Sequence, residues 1–193
     1  MISDAGIASI GFDLKRAYFI PPFFFTSFVL GIWIAYACPD LRHIGIEQCP
    51  HVTDEALVSL GKNCPKLMVV GLNSNLEVGD VGIEALAKGC LNMKAIYLNN
   101  TSISDYSLHQ ISSLGYLEQL GVNECKLISD DGIEFISRGC PRLRFLHAQT
   151  CDGVNGSGFW NFFHSRKNVR VYCSYSEEEI VQIKLEGSQM DQE

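Results

Sequence analysis

Residues 64–75, CPKLMVVGLNSN, and residues 140–151, CPRLRFLHAQTC, are two copies of one sequence pattern. Cys38-Pro39 opens another copy, and Cys90 opens one in which leucine follows the cysteine. The fourth residue of the phrase recurs in steps of 26, 26, 24, 26 and 26 residues, at Leu41, Leu67, Met93, Leu117, Leu143 and, more loosely, Val169. Self-similarity at a fixed period of this size predicts a solenoid of stacked repeats.

The first half of each repeat follows the pattern L-x-x-L-x-L-x-x-[C/N], as in Leu67, Val70, Leu72 and Asn75. Positions four and six alternate as the inward residues of a short strand do. The ninth position carries a small side chain, which we expect to hydrogen-bond neighbouring backbone where the chain leaves the strand. The predicted structural ladder at this position consists of Cys49, Asn75, Thr101, Cys125 and Cys151.

The second half of each repeat has a helical period. A pair such as Ser129-Asp130 precedes apolar residues three and four apart, here Ile133, Ile136 and Cys140, which predicts a short amphipathic helix. We interpret the recurring aspartates as helix caps rather than catalytic acids. These aspartates are Asp4, Asp54, Asp80, Asp105 and Asp130. One strand and one helix per repeat can bury an apolar spine that no single repeat could bury alone.

This repeat resembles the cysteine-containing subclass of leucine-rich repeats, as in the F-box/leucine-rich-repeat proteins and the related mitotic-exit-antagonist family. The resemblance covers roughly residues 38–174 and Ile2–Ile10. It implies an α/β fold, a right-handed leucine-rich-repeat solenoid or horseshoe, with parallel strands on the concave face and short helices on the convex face. It also implies that the concave face recognises a protein that an attached ubiquitin ligase modifies.

Composition restricts the chemistry of the chain. Seven of the eight cysteines fall on two fixed positions of the repeat, so periodicity explains them as small, buried, reduced thiols. The sequence has no C-x-x-C pair for a metal, and we expect neither metal nor cofactor. Reduced thiols predict a cytoplasmic or nuclear protein. The net charge of −7 opposes phosphate backbones and argues against nucleic acid as a partner.

Motifs of catalysis are missing from the sequence. It contains no glycine-rich phosphate loop, no H-E-x-x-H and no G-x-S-x-G, which are the patterns that would indicate nucleotide, zinc or acyl-transfer chemistry. We therefore do not expect an enzyme.

Residues 17–37, AYFIPPFFFTSFVLGIWIAYA, carry no charge and follow Lys15 and Arg16. This segment is long enough to cross a bilayer, which allows a membrane anchor or a secretory signal and a membrane-associated protein. The repeat pattern favours another interpretation. Ile2–Ile10 and Ile34–Cys38 match the two halves of residues 52–64, so residues 11–34 look like an insertion into a helix. A retained intron or a gene-model error would give such a block.

The expected organisation has four parts. They are a partial N-terminal repeat at 1–10, the apolar insertion at 11–34, leucine-rich repeats at 35–175 and an acidic flexible tail at 176–193. Because the chain begins within a repeat and no capping unit precedes it, we expect a fragment or a short isoform. In the last repeat Phe159 and Phe162 fall on core positions, and with Trp160 and Phe163 they predict a bulky end cap.

The predicted partner-binding surface is the concave face of the strands, where positions three, five and seven point away from the core. The candidate contacts on this face are His43, Glu47, Val69, Asn73, Tyr97, Asn99, Gln119, Asn123, Phe145, His147 and Gln149. Between them, Gly45, Gly71 and Gly121 would form a flat floor on which a partner could approach the backbone closely.

Two function classes follow, with a third less favoured. The first is substrate recognition for an SCF-type E3 ubiquitin ligase. For it the resemblance implies a Skp-family adaptor and a cullin as partners, but the F-box through which they would act is not present in this chain. The second class is a standalone repeat scaffold or inhibitor that acts by sequestration. The third is a membrane-tethered or secreted repeat receptor.

Overall fold

The computed structural model describes residues 35–49, 51–176 and 178–182. The predicted partial repeat at 1–10 with Asp4, the predicted insertion at 11–34 and the end of the predicted tail from residue 183 lie outside these ranges.

Strands and helices alternate along the described chain. The strands are β1 (His43–Gly45), β2 (Val69–Gly71), β3 (Ala95–Tyr97), β4 (Gln119–Gly121), β5 (Phe145–Ala148) and β6 (Arg170–Cys173). The helices are α1 (Asp54–Asn63), α2 (Asp80–Gly89), α3 (Asp105–Ile111), α4 (Asp130–Gly139) and α5 (Trp160–Ser165), with a 3₁₀ turn at Ser157–Phe159 before α5.

The six strands form one parallel sheet whose spatial order is the chain order, β1 to β6. Equivalent residues of successive repeats pair directly, so that Ile44 lies opposite Val70 and Val70 opposite Ile96. Each helix packs against the helix of the neighbouring repeat. The predicted α/β repeat fold is confirmed, and the horseshoe curvature stays a prediction.

The shortened third repeat has a local cause. Helix α3 contains seven residues where α1, α2 and α4 contain ten. The missing turn lies on the helical side, because the strands on either side keep the common register. The sheet is therefore continuous across the 24-residue step.

The core consists of the positions that the repeat pattern marks as apolar. Leu41, Leu67, Met93, Leu117 and Leu143 are all buried. The seven cysteines at repeat positions are buried as well, as predicted, and Cys173 is half-buried. Burial raises the pKa of the Cys90 thiol and of the Cys140 thiol to about 12. These thiols act as small apolar side chains.

Three cysteines that open repeats, Cys64, Cys90 and Cys140, also contact the preceding repeat. The thiol of Cys64 donates to the carbonyl of Cys38, and that of Cys90 donates to the carbonyl of Cys64, both at 3.4 Å. In the last repeat Arg166 replaces the cysteine, and its guanidinium donates to Cys140 O and Ser137 O at 2.7 Å each. The arginine thus satisfies carbonyl groups at the end of α4 that have no partner within the helix.

A residue in the left-handed backbone conformation follows each of the first five strands. Gln48, Ser74, Asn100, Glu124 and Thr150 have φ between 54° and 60°, and each directly precedes a ladder residue. None of them is glycine, although L-residues adopt this conformation at a cost. The repeated geometry turns the chain from the sheet toward the helix.

The prediction that each aspartate caps its own helix is wrong for the four described aspartates, Asp54, Asp80, Asp105 and Asp130. The N-caps are Thr53, Gly79, Ser104 and Ser129, and each aspartate is the first residue inside its helix. Its carboxylate accepts hydrogen bonds from the next repeat. The carboxylate of Asp105, for example, accepts from Ser129 N at 2.8 Å and from Ser129 Oγ at 2.6 Å. The aspartates therefore join consecutive repeats, because they anchor the residue that starts the next helix.

Helices α1 and α2 approach each other closely at two glycines. A Cβ at Gly89 would meet the backbone carbonyl of Gly61, and a Cβ at Gly61 would meet that of Ala85. Contact with rigid backbone leaves no space for a methyl group. These two glycines set the distance between the first two described helices.

The aromatic end cap forms as predicted. Phe159 and Phe162 are fully buried, and Trp160 and Phe163 pack partly buried against the same core. The chain after this cap differs from the expectation of a flexible tail from residue 176. Residues 178–182 are helical, and Ile180 is 0% exposed.

A capping box begins this last helical turn. Ser176 Oγ accepts from Glu179 N at 3.3 Å, while a Glu179 carboxylate oxygen accepts from Ser176 N at 2.7 Å. The S-x-x-E spacing of Ser176 and Glu179 was the signal for it in the sequence. No helix within the described ranges is long and apolar enough to cross a membrane.

Candidate protein-binding face

The outward side chains of the sheet form three rows that run across the strands. The first row contains the residues paired in register as His43, Val69, Ala95, Gln119, Phe145 and Arg170. The second contains Gly45, Gly71, Tyr97, Gly121, His147 and Tyr172. The third lies where the chain leaves the strands and contains Glu47, Asn73, Asn99, Asn123 and Gln149. We call this surface the concave face, keeping the name from the predicted geometry. The structure brings all the predicted contact residues together on it.

The glycines of the second row do not form the predicted open floor. Gly71 and Gly121 are buried. A Cβ at Gly71 would lie 3.1 Å from a Glu47 carboxylate oxygen, and one at Gly121 would lie 3.2 Å from the Tyr97 ring. The glycines instead make room for side chains of the preceding repeats, which cover them. Ala95 is buried too, at 5% exposure.

Tyr97 is the largest side chain at the centre of the face. It is half-buried and its hydroxyl donates to the Gln119 side-chain oxygen. Burial raises the pKa of the Tyr97 phenol above its ordinary value, so the ring stays neutral at physiological pH. A fixed aromatic ring with an exposed edge loses little side-chain entropy when a partner binds.

Amide side chains connect the third row. Asn73 Nδ2 donates to Glu47 Oε1 at 2.8 Å, and Asn99 Nδ2 donates to Asn73 Oδ1 at 2.9 Å. The backbone N–H groups of Asn123 and Gln149 continue the chain of bonds to the previous asparagine, both at 2.8 Å. This amide ladder holds a strip of polar atoms in fixed positions beside the second row.

Two ring contacts join β5 to β6. The Arg170 guanidinium lies over the Phe145 ring, 5.5 Å from its centroid. The His147 and Tyr172 rings stack at a centroid distance of 4.4 Å and an angle of 9°. Aromatic residues and arginine are the types most enriched at the energetic centres of protein interfaces.

Arg170 and Tyr172 are contacts that the repeat pattern did not indicate. Val169 is buried as expected for a sixth anchor. Phe145, however, pairs with Arg170, which is 25 residues later instead of 26. One residue is therefore missing between the anchor and the strand, so extrapolation from Val169 gives the wrong outward positions. The looser match of Val169 to the anchor position was the only sign of this shift in the sequence.

The predicted ladder residues lie beneath the exits of the strands. Asn75 accepts from Cys49 N at 2.8 Å and donates to Leu72 O at 2.9 Å. Thr101 Oγ1 donates to Leu98 O at 2.7 Å, and the Cys125 thiol also donates to Leu98 O, at 3.1 Å. The Cys151 thiol donates to Val122 O at 3.2 Å. Buried carbonyl groups need such partners.

The composition of the concave face changes from its centre to its ends. Its centre is aromatic and amide-rich, and its charges lie at opposite ends, at Glu47 and Arg170. No group of three or more potential metal ligands exists among the described residues. The face can therefore offer shape, aromatic surface and fixed hydrogen-bonding groups to a partner.

The parallel strands, the alternating helices and the buried ladders define the chain as a leucine-rich-repeat-like α/β protein. Solved structures share this fold. Rad7 in the crystal structure of the yeast Rad7 and Elc1 complex matches with a TM-score of 0.60 and 14% identity, over 68% of this chain. The tropomodulin C-terminal domain of Caenorhabditis elegans matches with a TM-score of 0.50 and 11% identity, over 86% of this chain and 98% of that domain.

This chain spans about a third of the Rad7 complex chain that it matches, 33% of its length. No protein-family model and no curated protein sequence matches this chain. At these identities the structural matches establish the fold.

Proposed function

We propose that this chain is a non-catalytic protein-binding module that holds its partner on the concave face. The observation that carries the proposal is the pair of ring contacts between β5 and β6, beside the ordered amide ladder. Such a surface is already fixed before a partner arrives, which lowers the entropy lost on binding.

The finer proposal is substrate recognition for an SCF-type ubiquitin ligase. It rests on the resemblance of the repeats to F-box/leucine-rich-repeat proteins. The likeness to Rad7, which was crystallised in complex with Elc1, agrees with a role in protein assembly. A Skp-family adaptor and a cullin would act through an F-box outside this sequence. A standalone scaffold that sequesters its partner is the alternative, since these repeats alone could bind a target.

Affinity purification of the intact cellular protein tests both levels of the proposal. The concave variant Tyr97→Ala/Phe145→Ala removes two outward rings, and the matched control Val81→Ala/Phe135→Ala removes exposed side chains of helices α2 and α4. We expect the concave variant alone to lose specific partners, while both variants stay folded by circular dichroism. Skp and cullin components that co-purify with both variants would favour the ligase role over the scaffold. An identical set of partners for wild type and concave variant would refute the concave face as the binding site.

A further inference from the structure

Seven of the twelve basic residues in the described ranges lie on one edge of the sheet. We define the strand-start rim as the charged residues that flank the beginnings of the strands. The rim contains seven basic residues and two acidic ones: Arg42, Lys66, Lys94, Arg142, Arg144, Lys167 and Arg170, with Asp40 and Glu118. This is a strong local accumulation in a chain of net charge −7. On the opposite edge the exposed turns carry the acidic residues Glu77, Glu124 and Asp152, and the basic residue Lys126.

The rim also contains a depression. One groove of about 430 Å³ is lined by Arg42, Lys66, Lys94 and Arg142 among others. A second groove of about 400 Å³ adjoins it, because Arg142 and Glu118 line both. Five of the rim cations therefore line two shallow, adjoining depressions, and all five side chains are exposed to solvent.

Several of these cations have no charged partner among the described residues. In the ranges that the structure describes, Arg42, Lys94 and Arg144 form no ion pair. Lys66 is paired with Asp40 at 2.6 Å, and both side chains are more than half exposed, so water screens this pair and an incoming anion could compete with it. The positive potential of the rim is thus largely uncompensated.

Two arginines of the rim are held in position by aromatic rings. Arg142 lies over the Tyr116 ring at 4.6 Å, and Arg170 lies over the Phe145 ring at 5.5 Å. A ring contact orders the guanidinium without neutralising its charge. Phe145 also belongs to the concave face, so Arg170 connects the rim with the proposed binding surface.

We propose that the strand-start rim binds an acidic polypeptide segment of the partner protein. This inference deepens the proposed function and rests on it, since the segment would continue onto the concave face at Arg170. Six strands at about 4.8 Å spacing give a rim of about 24 Å, which an extended segment of about seven residues spans. We propose a polypeptide rather than a nucleic acid because the rim adjoins, at Arg170, the aromatic and amide-rich concave face, which suits the side chains and backbone of a protein segment.

The test measures binding of a fluorescein-labelled deca-glutamate peptide to the full chain by fluorescence anisotropy. We expect saturable binding at about 20 mM salt that weakens strongly by about 200 mM salt, because the Debye length shortens. The variant Lys94→Glu/Arg144→Glu should lower the affinity about 10-fold or more. The single reversals Lys94→Glu on the rim and Lys126→Glu in an exposed turn on the opposite edge change the net charge equally. We expect Lys126→Glu, the control, to change the affinity less than about threefold.

A gain of affinity provides a test that misfolding cannot imitate. Glu118 lies on the rim in the repeat between Lys94 and Arg144 and lines both grooves. Glu118→Gln removes this repulsion and should raise the affinity for deca-glutamate about threefold. No saturable binding, an equal loss in the rim and control variants, or tighter binding of an oligothymidylate of equal length would overturn the proposal.

The proposals for the rim and for the concave face can be refuted independently. Absence of deca-glutamate binding together with partner loss in the concave variant would overturn the rim and keep the proposed function. Deca-glutamate binding that depends on the rim, with no effect of the concave variant on cellular partners, would overturn the concave face.

Discussion

Asp80 in the first turn of one helix fixes Ser104, the residue that caps the next helix. The Asp80 carboxylate accepts from Ser104 N at 2.9 Å and from Ser104 Oγ at 2.6 Å. Ser104 Oγ in turn accepts from Tyr106 N, so the cap of α3 is oriented by the repeat before it. Ser107 Oγ adds a third hydrogen bond to the same carboxylate. Repeats are therefore coupled through their helix starts as well as through the sheet.

Asp80→Ala should destabilise the protein by about 1–2 kcal/mol at pH 7, because a cap and its supporting hydrogen bonds are lost. Urea denaturation measures this change. Asp131→Ala is the matched control, since Asp131 is an exposed aspartate in the first turn of α4, and we expect it to cost less than about 0.5 kcal/mol.

The effect of Asp80 should depend on pH in a defined direction. Burial alone would raise the pKa of Asp80, but hydrogen bonds from Ser104 and Ser107 outweigh it and lower the pKa below the ordinary value of 3.8. A lowered folded-state pKa means that the stabilisation is complete above the unfolded value and disappears as the pH falls through the folded value. The difference between wild type and Asp80→Ala should therefore shrink below pH 3.8. A difference that grows on acidification would contradict this role.

Gly89→Ala should destabilise the protein by at least about 2 kcal/mol, because the new methyl group meets the backbone of Gly61. Gly115→Ala is the control, since a Cβ there has no atom within 4 Å. We expect the control to lie within about 0.5 kcal/mol of wild type. Thermal unfolding of both variants distinguishes this close helix contact from a general effect of glycine replacement.

The buried thiols should make the protein sensitive to alkali. Burial raises the pKa of Cys90 from 9.0 to about 12, so the folded state keeps a proton that the unfolded chain releases. Stability is then complete below pH 9 and falls as the pH rises toward 12. Urea midpoints between pH 8 and about 11 measure the decline. Cys90→Ala should be less stable at pH 8 but should decline less steeply; an unchanged slope would argue against Cys90 as a source.

Arg166→Ala should loosen the last repeat, because the carbonyls of Ser137 and Cys140 lose their charged donor. We expect a loss of about 1–3 kcal/mol and faster proteolysis after α4. Lys167→Ala removes a neighbouring exposed cation and should change neither. Equal sensitivity of the two variants would show that general charge, and not these two hydrogen bonds, holds the end of the chain.

The regular part of the fold could be predicted from the sequence because packing imposes a period on it. A buried anchor such as Leu67 and an inward residue such as Val70 must recur wherever repeats stack. The same logic located the outward rows and the buried thiols. The period breaks at β6, where Arg170 pairs with Phe145 after 25 residues instead of 26.

The features that sequence alone did not give depend on contacts between repeats. Asp105 has the spacing of a cap in its own helix, but its carboxylate reaches Ser129 one repeat later. Gly71 has no side chain and is therefore expected to leave the backbone exposed, yet Glu47 of the preceding repeat covers it. A one-dimensional period cannot indicate which repeat a side chain will contact. Arg142 and Tyr116, which meet on the strand-start rim, illustrate the same limit.

The amide ladder has a direction. Asn73 donates to Glu47, Asn99 donates to Asn73, and Asn123 donates to Asn99. Every link points toward the N-terminal side, and each asparagine both donates backward and offers an oxygen forward. A repeat with asparagine at this position thus has a donor for the repeat before it and an acceptor for the repeat after it. The array could in principle be lengthened by copying one unit, such as residues 67–92, without redesigning the units beside it.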